Sequence, residues 1–281
     1  MPSCRIQRKK ETCACAAREE GVTSMAKLTR DQFFAAIAPA VMFVHQEGSS
    51  MFPSVRMAQS LLESGGEIHA WNNLGGIKVG SGRTNAYWQG EAVVKGTWEY
   101  VDGRSVISKA AFRAYKSIYH FYKDLDLLLN TSRYDRVRLA GTPERQTQML
   151  LACGYATDPA YPSKLMAIVR QYGLLRYDEM AKLSVPLPRG FEGASNVPVI
   201  YQGQVLGGGY LQGGITWVPA RRIGEALGAK IGWTGSKVTV NGLELESVLS
   251  ASTGYVKVRD MAGVLSLPVT WDDRARAVLF E

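Results

Sequence analysis

The chain has 281 residues, enough for one large domain or two smaller ones. Hydrophobic residues make up 46% and charged residues 21%, which excludes wholesale disorder, and 29 glycines without a Gly-X-Y period exclude collagen. Lys and Arg outnumber Asp and Glu by 33 to 25, and most of the excess lies in residues 25–183, so an anionic partner is favoured: nucleic acid, a membrane surface or an anionic wall polymer.

Residues 1–24 are polar, carry Arg8-Lys9-Lys10 and lack the apolar core of a secretory signal, so a disordered or non-native extension is expected there. Glu19-Glu20-Gly21 can be encoded by a purine run resembling a bacterial ribosome-binding sequence, which makes Met25 the expected natural start. The most apolar run, Phe33 to Val44, fits a buried helix and is too short for a membrane span, so no stable membrane insertion is expected. Of four cysteines, only Cys153 lies outside the first fifteen residues, and Cys13-Ala-Cys15 lacks CxxC spacing. His45, His69 and His120 show no ligand or triad spacing, so neither a metal nor a cofactor is expected.

From Thr29 to Leu183 the pattern is mainly helical. Thr29-Arg30-Asp31-Gln32 predicts a capping box opening a helix to about His45. Pro53 and Ser54 predict a second helix over Val55–Glu63, closed by Gly65-Gly66. Residues 64–90, rich in Gly and Asn, read as loop. Thr97 to Arg104, with Asp102-Gly103 as the turn, predicts a hairpin. Helices are expected again near Ala110–Asn130, Thr142–Cys153 (Thr142 as cap, Pro143 first) and Pro159–Tyr172.

Residues 184–197, with two prolines, two glycines and no periodicity, read as a linker. Beyond it, Trp217-Val218-Pro219-Ala220-Arg221 … Leu227 … Trp233 is echoed by Tyr255-Val256-Lys257-Val258-Arg259 … Leu265 … Trp271. Each unit predicts strand, helix and strand, two halves of a small α/β repeat domain over 198–281 whose paired tryptophans pack its core.

The chemistry is concentrated in Pro53-Ser54-Val55-Arg56-Met57-Ala58-Gln59-Ser60-Leu61-Leu62-Glu63-Ser64-Gly65. Glu63 ends an otherwise apolar helix among aliphatic neighbours, where desolvation favours its protonated form. The competing reading is an ordinary solvated glutamate at a helix end.

This string resembles the catalytic helix of family 73 of the glycoside hydrolases, bacterial endo-β-N-acetylglucosaminidases that cut peptidoglycan. The same order continues in Asn72-Asn73-Leu74-Gly75-Gly76-Ile77-Lys78, Thr97-Trp98-Glu99-Tyr100, Phe112-Arg113-Ala114-Tyr115 and Gly154-Tyr155-Ala156-Thr157-Asp158-Pro159-Ala160-Tyr161, over roughly residues 29–175. The resemblance implies an α+β, lysozyme-like and mainly helical domain with a hairpin over 25–183. It implies Glu63 as general acid, Glu99 as second carboxylate and Tyr155 as a positioning residue. Asn73, Lys78, Trp71, Trp98 and Tyr161 would bind substrate. Gly66-Glu67 after Gly65 and Gly75 before Gly76-Ile77-Lys78 depart from the family pattern, and leave Glu67 and Asp102 as rival carboxylates. Trp71, Tyr87, Trp88 and Trp98 fit sugar stacking or packing equally.

Residues 198–281, with Trp217 to Ile223 and Glu225 to Ala229, resemble the domain named after the N-terminus of copper amine oxidases, which implies an envelope-associated appendage without implying copper. Peptidoglycan strands, and anionic wall polymers, are the expected partners. With no signal peptide read, the expected setting is a phage or prophage lysin made in the cytoplasm and released to the wall, or one otherwise exported. The alternatives are a muramidase or transglycosylase on the same fold, or a non-catalytic wall-binding protein. Nucleic-acid binding fits the charge but no basic helix or RNA-type aromatic strand supports it.

Overall fold

The computed structural model describes residues 28–101, 104–183 and 187–281, with the side chains of residues 97–108 outside the description. The expectations for residues 1–24, for Met25 and for the Asp102-Gly103 turn therefore lie outside the described residues.

Helix α1 (Arg30–Gln46) opens with the expected capping box: Thr29 accepts from the Gln32 backbone and Gln32 accepts from the Thr29 backbone. Phe33, Phe34, Ile37, Ala40, Val41, Phe43 and Val44 are buried along one face of α1, with Asp31, Gln32 and Ala35 exposed on the other. Helix α2 (Pro53–Ser64) starts on Pro53 and stops at Gly65, whose φ of 64° is the left-handed cap that glycine adopts without a Cβ penalty.

Strands β1 (Ala92–Val101) and β2 (Arg104–Arg113) pair antiparallel from Ala92 opposite Arg113 to Val101 opposite Arg104. The hairpin is longer than its turn signal indicated and corrects one boundary. Ala110–Arg113, expected to begin a helix, is strand because it completes the ladder with Ala92–Lys95. Helix α3 (Ile118–Leu129) starts only after Ser117, whose hydroxyl accepts from the His120 backbone as an N-cap. A 3-10 turn at Ser132–Tyr134 and the short α4 (Asp135–Arg138) lead to α5 (Pro143–Ala152), capped by Thr142 as expected. Helices α6 (Tyr161–Gln171) and α7 (Leu175–Lys182) complete this part; α7 carries no sequence signal of its own.

The remaining elements are β3 (Ser195–Tyr201), β4 (Gln204–Gln212), β5 (Ile215–Pro219), α8 (Ala220–Ala226), β6 (Ile231–Trp233), β7 (Val238–Val240), β8 (Leu243–Leu245), β9 (Ser247–Ser250), β10 (Thr253–Lys257), α9 (Val258–Leu265), β11 (Val269–Asp272) and β12 (Ala277–Phe280). They form a seven-stranded sheet in the order β11-β12-β3-β4-β5-β10-β9 and a three-stranded sheet β6-β7-β8. Strand, helix and strand recur in β5-α8-β6 and β10-α9-β11. Trp217 is buried against Phe191 and Tyr255, whereas Trp233 is 46% exposed, so only some of the expected tryptophan packing is present.

The sheet does not hang on a free tether. Ile200, Val205, Ala275 and Ala277 belong to the same apolar core as α1 and α3. The Ile118 backbone donates to Gly203 O at 3.1 Å, and Asp272 Oδ2 lies 2.9 Å from Lys116 Nζ and 3.5 Å from His120 Nε2. Gly208 lets the sheet approach α1 closely, since a Cβ would stand 2.4 Å from Asn196 Oδ1 and 3.2 Å from the Phe43 ring of α1. Within the segment read as linker, Phe191 is 1% exposed among Tyr210, Trp217 and Tyr255, and Ser195 to Val197 already run in β3. The prolines and glycines around Phe191 hid an anchoring aromatic.

Candidate active site

Glu63 sits in the last turn of α2, open to solvent at the residue level. Its carboxyl is nonetheless walled by enough protein that burial, the dominant cause, raises its pKa above the ordinary carboxylate value; the hydrogen bond from Tyr161 pulls the other way. The two descriptions are compatible: a proton donor must be reachable from solution and still lie where water solvates its charge poorly. Tyr161 Oη donates to Glu63 Oε1 at 2.9 Å, and Gln59 Nε2 donates to Tyr161 Oη at 3.1 Å. Tyr155 packs against Tyr161 at 6.3 Å between ring centroids and against Tyr134 at 6.3 Å. Burial, followed by the charge of Glu63, raises the pKa of both Tyr155 and Tyr161, so both phenols stay protonated across any working pH.

The surroundings of Glu63 differ from the expected aliphatic ones. Aromatic hydroxyls wall the carboxyl, and α2 carries a set of buried polar residues. Ser54 donates from its backbone to Asp178 Oδ1 at 2.8 Å and from its hydroxyl to Oδ2 at 2.5 Å. Arg56, 1% exposed, donates to Asp126, to Ser49 Oγ at 3.0 Å and to Tyr122 O at 3.2 Å. Ser60 Oγ and Tyr122 Oη are 2.9 Å apart. These buried polar groups of α2 are paired with side chains and backbone of other elements, apart from Gln59 Oε1, which has no partner among the described residues.

The Asn72–Lys78 loop is built by its asparagines. Asn73, 6% exposed, donates through Nδ2 to Ile77 O and Arg113 O, both at 2.9 Å, and accepts through Oδ1 from the backbones of Ile77 and Gly75. Asn73 is thus placed to shape the loop and tie it to the end of β2 rather than to offer its amide to a ligand. Gly75 fits between Phe121 and Tyr155: a Cβ there would lie 3.0 Å from the Phe121 ring and 3.7 Å from Tyr155 Oη. The ring space beside this position is filled from α3. Lys78 is exposed and its backbone bridges to Phe112. Trp71, half-buried, stacks on His69 at 4.1 Å with Lys95 Nζ 4.3 Å above its ring. Trp88 is packing, 1% exposed with its indole N–H donating to Glu91 O at 2.7 Å.

Glu99 lies in β1 opposite Val106, and Trp98 opposite Ile107; their side chains are outside the described residues. Glu67 is exposed with His69 Nε2 at 3.6 Å, and nothing described brings it to Glu63. Tyr161, expected to contact substrate, is 4% exposed and contacts the acid instead. Gln59 was missed by the sequence reading. Its signal was present, since a polar residue four positions before Glu63 shares its face. Among the described residues no group of three His, Cys, Asp or Glu converges as metal ligands, and no helix is long and apolar enough to cross a membrane. A cavity of about 1690 Å³ lies elsewhere, between α1, α7 and the C-terminal sheet, with Met42, Met180, Arg222 and Trp233 on its walls and none of the Glu63 cluster.

Residues 42–174 match the family model for glucosaminidases, described as mannosyl-glycoprotein endo-beta-N-acetylglucosaminidase. The chain is 37% identical over 126 residues to the peptidoglycan hydrolase FlgJ of Pseudomonas aeruginosa, covering 44% of this chain and 29% of that protein. It is 32% identical over 144 residues to a probable N-acetylmuramidase of Lactococcus lactis subsp. cremoris, covering 47% of this chain and 31% of that protein. Among solved structures, the catalytic domain of the autolysin Auto from Listeria monocytogenes aligns with a TM-score of 0.46 at 28% identity, over 55% of this chain and 91% of that one. The first curated relatives are matched over 21% to 47% of their length.

Proposed function

Because residues 42–174 form a domain of the glucosaminidase family, we propose that the chain is a peptidoglycan hydrolase, an endo-β-N-acetylglucosaminidase on a lysozyme-like fold. It cleaves the β-1,4 bond between N-acetylglucosamine and N-acetylmuramic acid. The observation that supports this best is the Glu63 carboxyl, reachable from solvent yet raised in pKa by burial and held by Tyr161. Such a group keeps its proton to higher pH than an ordinary carboxyl does, the direction a general acid needs.

In this reading Glu63 gives its proton to the glycosidic oxygen while the bonding electron pair of the anomeric C–O bond leaves with that oxygen. Water completes the reaction, its oxygen bonding to the anomeric carbon and its proton restoring the enzyme. Glu99, carried on the hairpin, activates that water or assists the substrate's acetamido group. Tyr155, beside the acid, positions the reacting sugar. Trp71, Trp98 and Lys78 line the glycan path. Residues 198–281 act as a copper-amine-oxidase-N-terminal-like, envelope-associated domain, and the protein serves as a phage or prophage lysin that meets peptidoglycan and its anionic polymers.

The name of the Lactococcus relative favours a second reading, cleavage at the muramic acid bond. Borohydride reduction of digested walls separates the two. Glucosaminitol at the new ends is expected, muramitol would replace this reading with the second, and an anhydro product would replace both by a transglycosylase. Glu63→Gln should remove product formation while leaving wall binding intact; wild-type lysis by that variant would refute the assignment.

A further inference from the structure

One buried chain of hydrogen bonds runs Gln59 Nε2 to Tyr161 Oη to Glu63 Oε1, with steps of 3.1 and 2.9 Å. A phenol has one proton and accepts through its oxygen. Because the Gln59 amide occupies the accepting side of Tyr161, the phenolic proton is directed to Glu63. Gln59 is 2% exposed and Tyr161 4%, so water does not compete for either group. Gln59 Oε1 is left buried with no partner among the described residues. Turned the other way, this amide would present Oε1 to Tyr161 and compete with Glu63 for the same proton.

We infer that Gln59 and Tyr161 decide which oxygen of Glu63 carries the catalytic proton: Oε1 is held as an acceptor, and Oε2 is the donor. This rests on the reading of Glu63 as general acid. In a neutral carboxyl the carbonyl oxygen accepts a hydrogen bond better than the hydroxyl oxygen does, so a fixed donor on Oε1 selects Oε1 as the carbonyl. No described hydrogen bond reaches Oε2, which is therefore unencumbered when it delivers its proton and becomes part of a carboxylate. That carboxylate is stabilised at once by the same Tyr161 hydrogen bond, so the chain serves both protonation states. Tyr161 and Gln59 are positioning residues: neither needs to touch the sugar.

The groups around Glu63 leave this role to Tyr161. From the same side come Tyr155 and Tyr161, both kept protonated. From α1, Arg30 donates to Gly65 O at 2.5 Å, beyond the acid. On α2 itself Arg56 is engaged by Asp126, and Glu67 lies past the helix end beside His69. From α7, Asp178 meets the opposite end of α2 at Ser54, and α5 approaches through the uncharged Gln146, which accepts from Phe52 N.

The test is the pH dependence of kcat and KM on purified walls for wild type, Tyr161→Phe, Gln59→Leu and the double variant, with Glu63→Gln as control. Tyr161 lowers the Glu63 pKa, so Tyr161→Phe should move the basic limb of kcat/KM to higher pH. At the optimum kcat should fall about tenfold with KM changed less than about twofold: sharing the proton between two oxygens accounts for at most about twofold, and the rest is the Tyr161 hydrogen bond that the newly formed carboxylate no longer receives. Gln59→Leu should move the limb in the same direction by less, and the double variant should match Tyr161→Phe alone, because Gln59 acts through Tyr161.

A limb unmoved in Tyr161→Phe, or losses that multiply in the double variant, would overturn the inference. If Tyr161→Phe does not fold, Gln59→Leu decides: a limb at the wild-type position overturns it equally. Full activity in Glu63→Gln would instead remove the general-acid reading beneath it.

Discussion

Removing Asp126 should unlatch the helix that carries Glu63. The Arg56 side chain is 2% exposed and that of Asp126 15%, so the pair is withdrawn from water without being sealed. Arg56 also reaches Ser49 Oγ, Tyr122 O and the face of the Tyr122 ring at 5.1 Å. Taking one partner from a buried pair costs about 3–5 kcal/mol because the other charge stays behind. Here two neutral acceptors and an aromatic face remain, and the space left by Asp126 admits water, so Asp126→Ala should cost about 3 kcal/mol, the lower end of that range. For a chain of this size that corresponds to a fall of roughly 6 to 12 °C in Tm. Replacing both partners, as Arg56→Met with Asp126→Leu, should restore stability to within about 1 kcal/mol of wild type, since no unpaired charge is buried. Urea unfolding followed by circular dichroism measures both variants. If Asp126→Ala costs under about 1 kcal/mol, the pair behaves as a surface ion pair and the argument for a latched helix fails.

Three further outcomes follow from the same structure. Activity on purified walls should be lost as pH rises through the elevated Glu63 pKa, so the basic limb of kcat/KM should lie above the ordinary carboxylate range; a limb at that range would mean another group carries the proton. Asp272 is held well below the usual carboxylate pKa by His120 first, and also by the Ala275 backbone and Lys116. Its contribution should be complete above its unfolded pKa, near 4, and lost as pH falls below it, so Asp272→Asn should cost about 2 kcal/mol at pH 7 and nearly nothing at strongly acid pH in urea melts. The lytic rate should fall as salt rises from low ionic strength, because the basic excess of residues 25–183 steers approach to anionic walls; a rate indifferent to salt would remove that steering.

Local signals were legible wherever the sequence had to solve a local problem. The Thr29 capping box, Pro53 and Gly65 around α2, and Thr142-Pro143 before α5 all mark helix ends, where unpaired backbone groups demand particular residues. The extent of the hairpin was not legible, because Ala110 and Ala111 favour a helix in isolation and enter a strand only through pairing with Lys95 and Val94. For the same reason α7, whose recognition depends on Asp178 reaching Ser54 across the fold, leaves no mark of its own. At the site, the position of Glu63 was readable from its place before a glycine stop. The identity of its neighbours was not, since Tyr161 comes from 98 residues away. Asn73 shows the converse: an amide at a motif position is equally suited to a sugar or to its own backbone, and only the four backbone partners distinguish them.

The polar residues of α2 form a clamp rather than a stripe. At about 100° per residue, Arg56 and Ser60 fall on one side, and both meet Tyr122 of α3. Gln59 faces Tyr161 of α6, and Ser54 faces Asp178 of α7. A helix tied in three directions cannot turn about its axis or slide along it without breaking at least one buried hydrogen bond. Apolar packing alone would permit such adjustments at far lower cost, because dispersion contacts are weakly directional. Glu63, one turn beyond Gln59 and on its face, inherits that fixed position, and proton transfer is sensitive to displacements of the order of an ångström. The sequence therefore places buried serines, an arginine and a glutamine where aliphatic residues would pack as densely. Their common effect is to hold one carboxyl at one place.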